Sequence, residues 1–321
     1  MQWISIGLFV LLIAPATFAA TIRVDVGPSA DFDTIQAAVD AAKSGDVINV
    51  DVADYNEQVI VSGKNITIKA TGVGDSLAPL PAIIPSNVAP NAETADGRQI
   101  TALLVVEDAW VDIRNMRISG NRLSLAKRRA TDIFAGIVVL GENSGLDVQD
   151  SIIRMINKGS NTLPRFVDFP TSCVGDLRDP NRGVGILAIN SLSLSLTNNE
   201  LTSNLDNVLA VCVRDFSFQS NAVVGTGMAN RGVGVTVAGN AARIVKNKFG
   251  ANSIDMLIKA DENRVFQNGS VDAEKTFSDI GIQIEGDRNL LFGNVLAHAN
   301  TEVVDSGSDN DVSVPRGRIR R

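Results

Sequence analysis

The sequence predicts an all-β chain wound as a right-handed parallel β-helix, closed at its N-terminal end by one capping α-helix. Three observations lead there. Short β-rich runs separated by polar bends recur, among them GIVVLGENSGLDVQD from Gly136, LAVCVRDFSFQSNAVV from Leu209 and IQIEGDRNLLFGNV from Ile282; from Leu209 onward the units repeat every 22 to 27 residues. Within runs, apolar and polar residues alternate, Ile282 and Ile284 against Gln283 and Glu285, which is the period of a strand with one buried face. An Asn or Asp marks the bend after the second run of each unit. Short strands of this kind cannot bury their apolar faces alone, and coiling with stacking gives them one continuous core.

The elements follow in chain order. Trp3 to Ala14 is apolar and uncharged, and Pro15 and the small residues Ala16, Thr17, Ala19 and Ala20 follow. This pattern predicts a signal peptide over 1–19, too short to span a bilayer, and so a secreted or extracytoplasmic protein without stable membrane insertion. Residues 20–312 are expected to form the β-helix domain, and 313–321, with Arg316, Arg318, Arg320 and Arg321, a basic disordered tail. Asp33 to Ala42 predicts the capping helix, with Asp33 as its cap, Ile35, Ala38, Val39 and Ala42 facing the core, and Gly45 ending it. The bend residues Asn115, Asp150, Asn199, Asn221, Asn247, Asn268 and Asn294 are expected to stack as a structural ladder, because Asn tolerates left-handed backbone and bonds locally. Three stretches break the repeat, Ser76 to Arg98, Leu123 to Asp132 and Lys158 to Arg182. Insertions in a solenoid fall on one face, often the binding face.

Residues 30–72, ADFDTIQAAVDAAKSGDVINVDVADYNEQVIVSGKNITIKATG, resemble the opening of pectin methylesterases and related pectate-lyase-like β-helix proteins. The resemblance implies a capping helix and first turn of that superfamily. It is specific for fold and not for chemistry. The esterases carry catalytic aspartates in Q-D-T and D-F-x-F-G motifs, and Gln149-Asp150-Ser151 and Asp215-Phe216-Ser217-Phe218-Gln219 only partly match them. Their two aspartates stand much farther apart here, Gln219 replaces the motif glycine, and the later G-R-P-W segment is missing.

Composition narrows the function. The formal net charge is -7 and the pI about 4.9, which disfavours nucleic-acid partners, since these need a basic face. One histidine, His298, removes most zinc and imidazole chemistry. Cys173 and Cys212 allow one bridge in an oxidising compartment or two free thiols, and the sequence leaves both open. Two Trp and one Tyr offer few stacking platforms for sugars, and Phe216, Phe218, Phe249, Phe266 and Phe292 read mostly as core.

The candidate site lies at the ends of the first runs. Aligning Val213, Val237, Ile258 and Ile284 puts Arg214, Ala238, Lys259 and Glu285 in the next outward position, with Asp215 and Asp261 close behind. A cation beside carboxylates can bind a uronate and abstract the neighbouring proton, with Arg214, Asp215, Lys259 and Glu285 as catalytic candidates. Paired carboxylates can instead hydrolyse a glycosidic bond. Asp261, with Arg182 and Arg231 from two N-R-G-V-G segments, would bind substrate. No metal ligand set is identified; Ca²⁺ is the one cofactor that such carboxylates would suit. Two readings result. One is a monomeric secreted protein acting on or binding polysaccharide, as a lyase or glycoside hydrolase on an acidic glycan. The other is a non-catalytic surface or matrix protein that binds glycan or protein through its loops.

Overall fold

The computed structural model describes residues 19–28, 30–72, 79–95, 97–130, 132–157, 183–226, 232–239, 242–271 and 277–313, with the backbone of 319 and 320. The chain coils through three long sheets. Sheet one has eleven strands, from Thr21–Val24 and Val47–Val50 to Asp311–Ser313. Sheet two has eight, from Asp54–Tyr55 to Gly269–Ser270, and sheet three eleven, from Val59–Ser62 to Ile319–Arg320. Neighbours within all three are parallel; among the described residues the antiparallel exception is Ala92–Glu93 beside Gln99–Glu107. Parallel crossovers of this kind wind right-handed. The expected right-handed parallel β-helix is therefore the fold. Its first strand is Thr21–Val24, which pairs with Val47–Val50 across the intervening helix.

The capping helix is Ile35–Ala41, with Ile35, Ala38, Val39 and Ala42 buried against the first turn. Its cap is Thr34 and not Asp33: Thr34 Oγ1 accepts from the Ala37 N–H at 3.2 Å, while Asp33 is exposed. The Glu57 carboxylate takes the Ile35 and Gln36 N–H groups at 2.8 and 2.9 Å. At the other end Lys64 Nζ donates to the Val39 and Ala42 carbonyls, both at 2.9 Å. An anion at the N-terminus and a cation at the C-terminus both favour the helix dipole.

The interior is a continuous column of Ile, Leu and Val, widened by Phe134, Phe216, Phe218 and Phe249. The bend after sheet one holds the ladder. Nδ2 of Asn199, Asn221, Asn247 and Asn268 each donates to Oδ1 of the Asn one turn on, ending at Asn294, at 2.9–3.0 Å. Each Oδ1 also accepts a backbone N–H from the previous turn, such as Asn221 N–H to Asn247 at 2.8 Å. Asn115 and Asp150 do not belong to it. They occupy the preceding position, in left-handed backbone with φ 55° and 51°, together with Asn198, Ser220, Lys246 and Gln267. Ser151 holds the ladder position in its turn and donates its N–H to Asn199 Oδ1 at 3.0 Å.

A second ladder, Asn263–Asn289–Asn310, was not legible in the repeats. Its side chains bond in sequence at 2.9 and 3.1 Å where sheet one begins. Register places Asn263 behind Phe216 and Ala242, so amides replace apolar side chains in this column toward the C-terminal end.

Candidate functional site

The outward columns of sheet three differ from the sequence alignment. Ala210, not Val213, is in register with Val237 and Ile258. The slip has a physical origin. The chain leaves sheet three through a left-handed residue, and at successive turns this is Asp108, Gly141, Asn190 and Cys212. Asp, Gly and Asn signal such a bend; Cys212, at φ 52°, does not, so the apolar run reads as one strand through the corner.

The correction divides the candidate residues. Arg214 and Asp215 belong to the corner and to the start of the sheet-one strand Asp215–Gln219, two turns or about 10 Å along the axis from Lys259. Arg214 is largely exposed and pairs with Glu142 at 3.2 Å. Lys259 and Glu285 are neighbours on the rim of sheet three, joined at 2.8 Å with the lysine side chain 11% exposed. Gln283 donates to the same glutamate at 2.8 Å. Asp261 lies past the rim, accepting the Asp287 N–H at 2.8 Å and facing Arg288 at 3.4 Å. Arg182, Arg231 and the Lys158 to Arg182 insertion lie outside the described residues. Among the described residues no group of three or more His, Cys, Asp or Glu side chains is placed to hold a metal ion. No helix among them is long and apolar enough to cross a membrane.

The outer faces of the sheets contrast. That of sheet three is filled with apolar side chains over its early turns: Val105, Val138, Leu187, Leu209 and Val211 are buried and form a second hydrophobic cluster outside the coil. Cys212 borders this cluster and is disulfide-bonded; the sequence has one other cysteine, Cys173, outside the described residues.

The outer face of sheet one is open from turn to turn. One of its columns runs Asp112, Asp147, Ser195, Ser217, Arg243, Arg264 and Leu290, and the next runs Arg114, Gln149, Thr197, Gln219, Val245, Phe266 and Phe292. Most of these side chains are half-buried or exposed. Phe266 and Phe292 are thus not core: they neighbour one another on the surface, and Phe292 is 59% exposed. Five strands earlier on the same face Trp110, on the fourth of the eleven strands, is 39% exposed and lies over Gly145, where a Cβ would come within 2.3 Å of the indole. Tyr55 is no platform, being buried with its hydroxyl donating to the Asp51 carbonyl at 2.9 Å. Sequence reasoning missed this face because outward Ser, Thr and Gln carry no motif. The surface aromatics follow the same alternation as core ones, and only parity with Ile244, Val265 and Leu291 assigns them outward.

One buried carboxyl stands apart from both surfaces. Asp255 lies near the start of the sheet-three strand Ile254–Ile258, accepting from Ser278 Oγ at 2.6 Å and Asn252 Nδ2 at 2.9 Å. Burial pushes its pKa up to about 7, against these two hydrogen bonds, which lower it.

No protein-family model matches the chain, and no curated protein matches its sequence. Solved structures with which it aligns include the pectin methylesterase PemA from Erwinia chrysanthemi, at 11% identity and TM-score 0.41 over 95% of this chain and 93% of that one. The Escherichia coli protein YbhC aligns at 14% identity and TM-score 0.41, over 95% and 87%. A pectin methylesterase solved with a hexasaccharide aligns at 10% and 0.38, over 95% and 93%.

Proposed function

We propose that the protein is an extracytoplasmic β-helix that binds an extended polysaccharide along the outer face of sheet one. The observation that carries this reading is the open face itself. It is an array of hydroxyl, amide and charged side chains at the strand spacing of about 4.8 Å. Trp110 stands on the fourth strand and Phe266 and Phe292 on the ninth and tenth; five strand spacings separate Trp110 from Phe266, or about 24 Å. Aromatic faces pack on the apolar faces of sugar rings, and polar groups between them fix the chain by hydrogen bonds. The test is a binding panel of neutral and acidic polysaccharides, run with ultraviolet and reducing-end assays, with and without Ca²⁺. Binding without new unsaturated or reducing ends is the expected result. Turnover of any glycan in the panel would contradict a purely binding role.

One observation favours catalysis as a second reading. The Lys259–Glu285 pair on the rim of sheet three shelters a cation beside a carboxylate. This is a combination that a lyase or hydrolase can use. If turnover is found, Lys259→Ala should abolish it while Arg214→Ala, two turns away, leaves it within about twofold, well under the tenfold that about 1.4 kcal/mol represents.

A further inference from the structure

We infer that the C-terminal end of the coil is a docking surface for the chain's own residues 314–321, which close it by charge and by one added strand. The two ends of the coil are built differently. At the N-terminal end the helix Ile35–Ala41 packs on the core. The Arg23 carbonyl, on the edge strand Thr21–Val24, accepts the Asp31 and Phe32 N–H groups at 3.0 and 3.3 Å. On the edge of sheet three Gln36 accepts the Ile60 N–H at 2.7 Å and donates to the Ile60 carbonyl at 3.2 Å. Edges covered in this way are closed to pairing with another chain. The described helices both precede residue 130, so neither belongs to the last turns. Asp311–Ser313 is the last strand of sheet one and pairs with Leu290–Phe292. Leu291, Leu296 and Val303 are 1–2% exposed at this end, and half-buried Val312 packs against the same core. A solenoid core needs a polar cover where the turns stop.

Charge identifies the cover. Residues 289–313 contain Glu302, Asp305, Asp309 and Asp311 and no Lys or Arg. Among the described residues none of these four carboxylates is ion-paired, and Asp309 and Asp311 are exposed. Residues 314–321 contain Arg316, Arg318, Arg320 and Arg321 and no acidic side chain. The backbone of Ile319–Arg320 lies parallel to Val303–Val304 on the edge of sheet three. That register sets the segment beside the strand Ala299–Asp305, which carries Glu302 and Asp305. A strand held by two residue pairs is marginal by itself. Attraction between opposite charges adds to it at low salt and is screened at high salt. The link from Ser313 to Ile319 is short, so the segment is far more concentrated at its own end than at that of a second copy. The cap is therefore one that ionic strength loosens.

The experiment is a charge swap in the full chain. Arg316→Glu/Arg318→Glu/Arg320→Glu/Arg321→Glu is compared with the parent, and with the same variant carrying Asp309→Lys/Asp311→Lys. Melting temperature is followed from low salt to about 1 M. Hydrogen exchange of the Ala299–Asp305 segment and mass by light scattering are read alongside. The expected result is a monomeric parent, a drop of about 2–4 °C in the tail variant at low salt, and faster exchange in Ala299–Asp305. The drop should vanish near 1 M salt and be largely restored by the two lysines. An unchanged melting temperature and unchanged exchange in the tail variant would overturn the inference. A drop that persists in high salt, or that the lysines do not restore, would overturn docking by charge. A dimeric parent that the tail variant turns into monomers would seat the segment on a second copy and overturn the assignment to its own end.

Discussion

Replacing Asn247 by alanine tests the ladder that holds the turns in register. Asn247 sits mid-column and is 1% exposed. Its Oδ1 accepts the Asn221 backbone N–H at 2.8 Å and the Asn221 side-chain amide at 3.0 Å; its Nδ2 donates to the Phe218 carbonyl at 2.8 Å and to Asn268 at 2.9 Å. In the variant the Asn221 side chain keeps the Leu196 carbonyl, and Asn268 Oδ1 keeps the Asn247 N–H. The Asn221 N–H has no such second partner, and the Phe218 carbonyl loses one bond. A buried donor left unpaired costs about 1–3 kcal/mol. With the carbonyl added, the expected loss is about 2–4 kcal/mol. Urea unfolding followed by circular dichroism measures the total, and hydrogen exchange at the Asn221 amide locates it. A loss under about 0.5 kcal/mol with unchanged Asn221 exchange would refute the reasoning, since distant surface changes alone produce that much.

Three further outcomes follow from other sites. Asp255 is protonated in the folded state up to about pH 7 but ionises near 3.8 when unfolded, so its contribution to stability is complete below 3.8 and falls as pH rises to about 7. The difference amounts to about 4 kcal/mol at 1.36 kcal/mol per unit. Asp255→Asn should remove most of that decline in denaturation midpoints measured from pH 4 to 8, and an unchanged profile would count against it. Gly234→Ala drives a Cβ to 2.4 Å from the Asp255 carbonyl in the next turn. A loss of about 2 kcal/mol or more in thermal unfolding is expected, against none if the stack can open. Reducing the bridge at Cys212 should lower stability by about 2–4 kcal/mol, read as a reductant-dependent melting temperature.

The fold was legible because its signals repeat. Alternation in Ile282–Glu285 and the helix pattern at Ile35, Ala38, Val39 and Ala42 each state a burial that neighbouring turns confirm. Register was legible only where a bend carried a left-handed former. Cys212 hid one bend and moved Arg214 and Asp215 into a column they do not occupy. A shift of one residue likewise put Asn115 and Asp150 in the ladder, because Asn suits both the left-handed position and the ladder position beside it. The Asn263–Asn289–Asn310 ladder stayed hidden because it replaces core residues, and parity alone predicts apolar side chains there. The open face of sheet one carries no motif at all. What distinguishes it is exposure relative to sheet three, whose outer face carries the second buried cluster.

Side-chain footprinting of the polysaccharide complex tests the central claim most directly. Hydroxyl-radical labelling read by mass spectrometry reports Trp110, Phe266 and Phe292 on sheet one, and Phe277, 47% exposed beside the start of the sheet-three strand Ser278–Ile284. Saturating polysaccharide is predicted to protect Trp110, Phe266 and Phe292 and to leave Phe277 unchanged. Protection of Phe277 with unchanged labelling of Trp110 and Phe292 would contradict a sheet-one site and move the ligand to the sheet-three side.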